Sequence, residues 1–427
     1  MEELKIDIKI LKYDGIHNHF EQEYNAALSF SKYKIKKEIK KSSIPFNIKP
    51  KRVFNQISQD IGFICPEFKS IKSQIIRDIN KQLPPNISSF EEIPEKHYLY
   101  ITKQNENFMI FKNRNVIIFQ SPFQAFLFKK YSDDLFVDGT FYIAPDFSYQ
   151  IFITRNFVPE LNEFYTTSFS ILRNKEQETY KTIFEVIKSN CNITKDNGFA
   201  PKNLHCDFER AISNTAIIVF PDITIRYCIW HYKQSLRHHK NKICYNEVNH
   251  NRDLYVYYNA ILNLPFINPN YILDIFHKIK KSCIENNYNQ FLIFLEYFRK
   301  TYLIHYDIEN WNYYNNIEHI TNNASESYNN YIGSLFLKKS TYFRLIYTLN
   351  NEISLYPDTY ERRMLGVWNK QKRKTLTKTN KIKNIIESYK KMESFLIGNE
   401  RNRSHIAGLW FECLINLNNK IEFNLFF

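Results

Sequence analysis

Glycine is scarce in this chain, with 8 residues among 427. Glycine-rich phosphate loops, collagen-like repeats and flexible glycine linkers all need more, so the composition argues against each of them. No repeat of fixed period is apparent, which argues against a solenoid or a propeller. The length predicts about two to four domains. With 44% hydrophobic residues, the chain has ample material for a core.

The 7 cysteines are scattered, and no Cys-x-x-Cys pair occurs. This pattern argues against a secreted disulfide framework and favours a reducing compartment. The first residues, MEELKIDIKILKYDG, mix charges with apolar residues and do not resemble a signal peptide. No apolar run reaches the roughly 18 residues of a membrane span, so we expect no membrane partner.

The chain is strongly basic, with a net charge of +14. This balance favours anionic partners, chiefly nucleic acid. Basic residues concentrate in a helical stretch near the N-terminus and in the stretch RRMLGVWNKQKRKTLTK near the C-terminus. A solvated helix face would look the same in sequence. The candidates for phosphate contact are Lys36, Lys37, Lys40, Lys41, Arg237, Lys372, Arg373 and Lys374.

The hydrophobic pattern alternates between strand and helix from about residue 98. Strands are predicted at FMIFKN, NVIIFQ, LFVDGTFY, YQIFITRNF, EFYTTSFSIL, NLHCDFE and ITIRYC. Helices are predicted at SPFQAFLFKKYS, KEQETYKTIFEVIKSN, RAISNTAIIVF and IWHYKQSLRHHKNK, with Ser121 as N-cap of the first. Residues 251–320 read as helical throughout. The pattern predicts an α/β protein, α+β overall.

Two aspartates interrupt this pattern where strands should end. Asp138 follows LFV and Asp207 follows LHC, and in α/β sheets sites form at the carboxyl ends of neighbouring strands. Glu326, in the first turn of a later helix, is a third candidate, although the helix register there is open. Three converging carboxylates need divalent cations, and oxygen ligands suit Mg²⁺ or Mn²⁺.

Each acid also has an ordinary explanation. Asp138 could form a turn before Gly139, Asp207 could cap a helix, and Glu326 could be a surface acid. From spacing alone, the 44 acids of the chain allow many such triples.

An ordered set of motifs resembles the Mutator-like element transposase domain over about residues 98–335. That family has an aspartate in DGTF, a second aspartate before Glu-x-Ala with Phe-Pro downstream, then Cys-x-x-His, then Asn-Asn-x-x-Glu-Ser. The matching positions in this chain are Asp138 to Phe141, Asp207, Glu209, Ala211, Phe220, Pro221, Cys228, His231, Asn322, Asn323, Glu326 and Ser327.

The resemblance implies a ribonuclease-H-like mixed sheet with an all-helical insertion, preceded by a small helical N-terminal region. It also implies a nuclear DNA transposase that cleaves and joins DNA with Mg²⁺ or Mn²⁺ bound by Asp138, Asp207 and Glu326. Its partners would be the transposon's terminal repeats and target DNA, and a homo-oligomer is left open. The predicted segments are 1–20 (zinc-finger-like remnant), 21–97 (basic helical DNA-binding region and linker), 98–250 (core), 251–320 (insertion), 321–355 (core helix with the third acid) and 356–427 (basic C-terminal region).

The pair Cys228 and His231 supplies only two of the four ligands of a closed zinc site, so we favour a packing or DNA-positioning role for it over zinc. His17 and His19 resemble the end of a zinc finger, but no cysteine precedes Cys65. Cys413 alone cannot form the C-terminal finger that the family often carries.

Two other readings compete with an active transposase. The first is a domesticated, non-catalytic DNA-binding transcriptional regulator on the same fold. The second is an unrelated basic helical protein whose acids are placed by coincidence. The second requires no adjacency between the strands that carry Asp138 and Asp207, so strand order separates it from the others.

Overall fold

The computed structural model describes residues 29–30, 32–34, 36–37, 51, 54–55, 58, 67–81, 84–193, 200–317, 319–320, 323–336, 341–368, 376–396 and 403–420. The chain divides into two units, Met1–Asn86 and Ile87–Phe427. Each unit is described by itself. The six segments predicted from sequence are finer than this division and stay predictions.

The first unit contains helix α1, Phe68–Asn80, as its apolar spacing predicts. Ile71 and Ile75 lie one turn apart and are buried, whereas Lys72 is exposed. Lys36 and Lys37 are also in helical backbone and exposed to solvent. Lys40 and Lys41 lie outside the described residues, as do His17 and His19.

The second unit is mixed α/β and is built on a seven-stranded sheet. Its strands are β1 (Met109–Lys112), β2 (Val116–Phe119), β3 (Asp134–Thr140), β4 (Gln150–Val158), β5 (Glu163–Leu172), β6 (Asn203–Cys206) and β7 (Thr224–Tyr227). The order across the sheet is β1-β2-β5-β4-β3-β6-β7. The pairs β3–β6 and β6–β7 are parallel, and the other pairs are antiparallel. All seven predicted strands are confirmed.

Four helices connect and cover these strands: α2 (Pro122–Lys130), α3 (Gln177–Asn190), α4 (Arg210–Val219) and α5 (Ile229–Ile243). Ser121 caps α2 as predicted, because its hydroxyl accepts from the backbone N–H of Gln124. The Gln124 side chain in turn accepts from the backbone N–H of Ser121. This reciprocal pair satisfies two donors that a helix start otherwise leaves unpaired.

No strand follows β7 in the described part of the chain, so the predicted helical character of residues 251–320 is confirmed where it can be seen. The helices up to residue 311 are α6 (Tyr245–His250), α7 (Arg252–Asn263), α8 (Ile272–Glu285), α9 (Asn289–Phe298, continued by a π-helical turn over Arg299–His305) and α10 (Ile308–Trp311). The later ones are α11 (Asn323–Ser334), α12 (Tyr342–Ile353), α13 (Tyr356–Met364), α14 (Leu376–Leu396) and α15 (Arg403–Lys420).

The last helix belongs to the core of this unit. α15 packs against α7, α8 and α14. Trp410 and Leu414 on α15 are fully buried, in the same apolar cluster as Ile261 of α7. Lys372, Arg373 and Lys374 lie outside the described residues. None of the described helices has the length and apolar character needed to cross a membrane.

The burial of Trp410 predicts that α15 stabilises the second unit. Trp410→Ala should lower the free energy of unfolding by about 3–5 kcal/mol, because it leaves a large cavity. Phe395→Ala is the matched control, since Phe395 on the neighbouring helix is 84% exposed. Urea denaturation of both variants measures the difference, and equal stabilities would show that the Trp410 side chain does not stabilise this unit.

Candidate active site

The parallel pairing of β3 with β6 brings Asp138 and Asp207 close together, at the end of the sheet where β6 terminates. Phe136 pairs with His205 in this ladder. Continuing that register by two residues places Asp138 beside Asp207, which directly follows β6. Both aspartates line one small cleft. The strands that carry or precede the two aspartates are therefore adjacent. A coincidental set of acids would not require this adjacency.

Asp138 is a nearly buried carboxylate with two hydrogen-bond donors. The Gly139 backbone N–H donates to its Oδ1 at 2.8 Å, and the Asn329 amide donates to its Oδ2 at 2.7 Å. Burial raises the pKa of Asp138 to about 7, and the charge of Asp207 adds to this rise. The ionised form is costly here unless a cation compensates for the lost solvation.

Gly139 has a steric reason to be glycine. A Cβ atom at this position would lie 2.4 Å from Oε1 of Gln150 on the neighbouring strand. Gln150 is held in place because its amide donates to the Tyr180 hydroxyl at 2.8 Å. The absence of a side chain at Gly139 therefore leaves room for the buried Gln150 amide beside Asp138.

Glu326 lies in the first turn of α11, as predicted, and is half-buried. Burial raises the pKa of Glu326. The charge of His231 opposes this rise, and the charge of Asp207 adds to it. Its Oε1 atom is buried without a hydrogen-bond partner among the described residues. Because the charges of Asp207 and His231 both act on its pKa, Glu326 lies near these two residues.

Two contacts hold α11 against the sheet. Asn329, three residues after Glu326, binds Asp138 directly. The guanidinium of Arg155 on β4 lies 4.4 Å from the ring centroid of Tyr328. Since residues three apart share a helix face, the Asn329 contact turns the side of α11 that carries Glu326 toward Asp138.

His231 lies against Asp207. Its Nδ1 atom is 2.7 Å from Asp207 Oδ1, at ion-pair distance, although neither atom has a partner with hydrogen-bond geometry. Burial by itself lowers the pKa of His231. The Asp207 carboxylate and the Cys228 thiol outweigh that effect and raise the pKa to about 11. The Cys-x-x-His pair is thus part of the site.

A second network lies on the other wall of the cleft. Glu209 accepts a hydrogen bond from the Tyr180 hydroxyl at 2.7 Å. It also forms an ion pair with Lys175 at 2.8 Å. Lys175 and Glu209 both line the cleft with the aspartates. This places a cation beside three acids in the same cleft.

Sequence reasoning did not single out Asn329, Tyr180 or Lys175. A signal existed for Asn329, because it follows Glu326 by three residues and must share its helix face. Nothing in the sequence pointed to Tyr180 or Lys175, since both lie about thirty residues before Glu209, the acid that they contact.

The ordinary explanations of the acids are partly wrong. Asp207 does not cap α4, because that helix begins at Arg210 with Glu209 as its N-cap residue. Glu326 is not an exposed surface acid. Asp138 does accept from the N–H of Gly139, as a turn-forming aspartate would, but it does so within β3. The remaining candidate, Arg237, is half-buried on α5.

Residues 135–235 match the family model of the MULE transposase domain. The match confirms the resemblance over this stretch and indicates a transposase-related function. It contains Asp138, Asp207, Cys228 and His231, and it ends before Glu326. No curated protein matches the chain.

The raised pKa of Asp138 in the MULE-matched region predicts how stability depends on pH. An ordinary aspartate has a pKa of 3.8, so between about 4 and 7 the folded chain binds more protons than the unfolded chain. The contribution of Asp138 to stability should therefore fall as pH rises through this window. Asp138→Asn should remove part of that fall, as measured by urea denaturation at about pH 5 and about pH 7 with a chelator present.

The control for this experiment is Asp222→Asn, because Asp222 is exposed. This variant should keep the wild-type fall in stability. If Asp138→Asn keeps it as well, Asp138 is not the group that titrates.

Proposed function

We propose that this protein is a Mutator-like DNA transposase that cleaves and joins phosphodiester bonds at transposon ends with divalent metal ions. One observation carries the proposal: Asp138 within β3 and Asp207 directly after β6 lie beside each other on neighbouring parallel strands inside the MULE-matched region. Glu326 faces them from α11. These three residues are the proposed metal ligands and catalytic acids.

A ribonuclease-H-like core is supported by part of the sheet. Strand β4 runs antiparallel to both of its neighbours, β5 and β3, and β6 and β7 continue the sheet parallel to β3. Helices α3 and α4 connect β5 to β6 and β6 to β7. A helical stretch then separates this core from α11, as the family's insertion would.

The residues present fit Mg²⁺ or Mn²⁺. Asp138 is nearly buried with a raised pKa, and a buried Glu326 oxygen has no hydrogen-bond partner among the described residues. Such groups are satisfied when a cation offsets their mutual repulsion. When bound, a pair of ions activates the attacking water or 3′-hydroxyl and stabilises the leaving oxygen.

The other side chains of the site position these ligands. Asn329 donates to one oxygen of Asp138 and so orients the carboxylate. His231 restrains Asp207 in the same way, because its Nδ1 atom lies 2.7 Å from Asp207 Oδ1. Outer contacts of this kind fix the direction in which a ligand presents its oxygen. Lys175 would contact a DNA phosphate at the mouth of the cleft.

Duplex DNA is the proposed partner, both as terminal repeats and as target. The net charge of +14 supports this proposal, because phosphate contacts dominate the affinity of proteins for DNA. A nuclear location follows from this proposal, and a homo-oligomer stays an expectation.

Asp138→Asn tests the proposed chemistry. The variant keeps the size and hydrogen-bonding reach of the side chain but removes a metal-binding charge. Nicking of labelled terminal-repeat DNA in Mg²⁺ or Mn²⁺ should fall by orders of magnitude. DNA binding should persist, because it depends mainly on Lys and Arg.

Asp222→Asn serves again as the control and should nick DNA at the wild-type rate. Equal nicking by Asp138→Asn and the wild type would remove Asp138 from the mechanism. A wild-type protein that binds the repeat specifically but never nicks it in either metal would instead support the domesticated regulator.

The N-terminal lysines can be tested through salt dependence. Substitution of Lys36, Lys37, Lys40 and Lys41 by Gln should flatten the slope of log affinity against log salt by a few units, because each phosphate contact contributes about 0.9. Lys280 and Lys281 on α8, changed to Gln together, form the control. An unchanged slope in the first variant would mean that its lysines form a solvated helix face.

A further inference from the structure

Asp207 meets Cys228 and His231, which follow it by about twenty residues, at the carboxyl ends of β6 and β7. In this parallel pair Cys206 lies opposite Tyr227, so the next residues, Asp207 and Cys228, leave the sheet side by side. Cys228 is the N-cap residue of α5, and His231 lies in the first turn of that helix. The fold therefore fixes all three positions.

The polar atoms of these side chains form one tight group. A carboxylate oxygen of Asp207, the sulfur of Cys228 and a ring nitrogen of His231 all lie within 4.8 Å of one another. Asp207 Oδ1 and His231 Nδ1 are both buried and lie 2.7 Å apart. Together with the buried Cys228 sulfur they place three metal-binding atoms around one point, which is the arrangement that a bound metal ion needs.

The chemistry of these three side chains indicates which metal ion they would bind. Thiolate and imidazole are ligands of Zn²⁺, whereas Mg²⁺ prefers oxygen. Zinc sites with three protein ligands keep a fourth position for water or substrate. We propose that Asp207, Cys228 and His231 bind a Zn²⁺ ion whose fourth position takes water or a DNA phosphate oxygen.

This site is chemically distinct from the proposed Mg²⁺ or Mn²⁺ site, although the two share Asp207. The oxygen of Asp207 that faces His231 is Oδ1, which leaves Oδ2 for the ions near Asp138. Zinc was not expected from the sequence, because spacing supplied only two ligands. The third ligand comes from the end of a neighbouring strand and cannot be recognised from spacing.

Binding of Co²⁺ to the purified, chelator-treated full chain tests the proposal without any DNA. Co²⁺ should produce the thiolate charge-transfer band and the intense visible bands of a tetrahedral site, and Zn²⁺ should abolish both by competition. Excess Mg²⁺ should leave the bands in place. A wild-type protein that shows no thiolate band with Co²⁺ would overturn the proposal.

Two ligand variants locate the site. Cys228→Ser and His231→Gln should each weaken Zn²⁺ binding by more than the roughly 10–100-fold that loss of an outer-shell partner costs. Cys244→Ser is the matched control, since Cys244 is a buried thiol at the other end of α5, and it should bind Zn²⁺ as the wild type does. His231 is half-buried, so its variant tests the site even if Cys228→Ser fails to fold. Wild-type affinity in a folded His231→Gln protein would overturn the proposal.

Asp138→Asn separates this inference from the proposed function. Asp138 is not a ligand of the zinc site, so its variant should keep Co²⁺ and Zn²⁺ binding while losing nicking. If the protein binds zinc but never cleaves DNA, the zinc site is supported and only the proposed catalytic function is refuted. Loss of the Co²⁺ bands in a folded Asp138→Asn protein would contradict the assignment of the ligands.

Discussion

The parallel pairing of β3 with β6 determines where both aspartates lie. Two contacts support this pairing across the strands: the rings of Phe136 and His205 stack at 4.2 Å, and His205 Nε2 lies 2.8 Å from Asp134 Oδ1. A slip of one residue would turn every side chain of β6 to the other face of the sheet. The carboxylates of Asp138 and Asp207 can share a cleft only in the observed register.

The position of the third acid depends on how α11 is anchored. α11 follows a long helical stretch, and its attachment to the sheet comes from Asn329 and Tyr328 rather than from its neighbours in sequence. Arg155, beneath the Tyr328 ring, also donates to the backbone oxygen of Phe164 at 2.8 Å. The helix that carries Glu326 is thus fixed by contacts to β3 and β4, the strands beside the cleft.

The strands and most helices of the second unit could be predicted from sequence, because their hydrophobic periods are regular and their starts are marked, as by Ser121. Asp138 and Asp207 were also visible as carboxylates beside predicted strands, although β3 continues to Thr140 and does not end at Asp138. The register of α11 was not, since it depends on long-range contacts such as that between Asn329 and Asp138. For the same reason Asp207 could not be recognised as a neighbour of Cys228 until the pairing of β6 with β7 was known.

Anomalous X-ray scattering from crystals of the full chain soaked in Mn²⁺ is the most direct test of a metal site at the aspartates. Data collected on both sides of the Mn absorption edge distinguish this ion from zinc. A Mn²⁺ peak should lie within coordination distance of carboxylate oxygens of both Asp138 and Asp207, with Glu326 beside it. Mn²⁺ bound only elsewhere on the chain, with the cleft between the two aspartates empty, would contradict the metal-dependent mechanism.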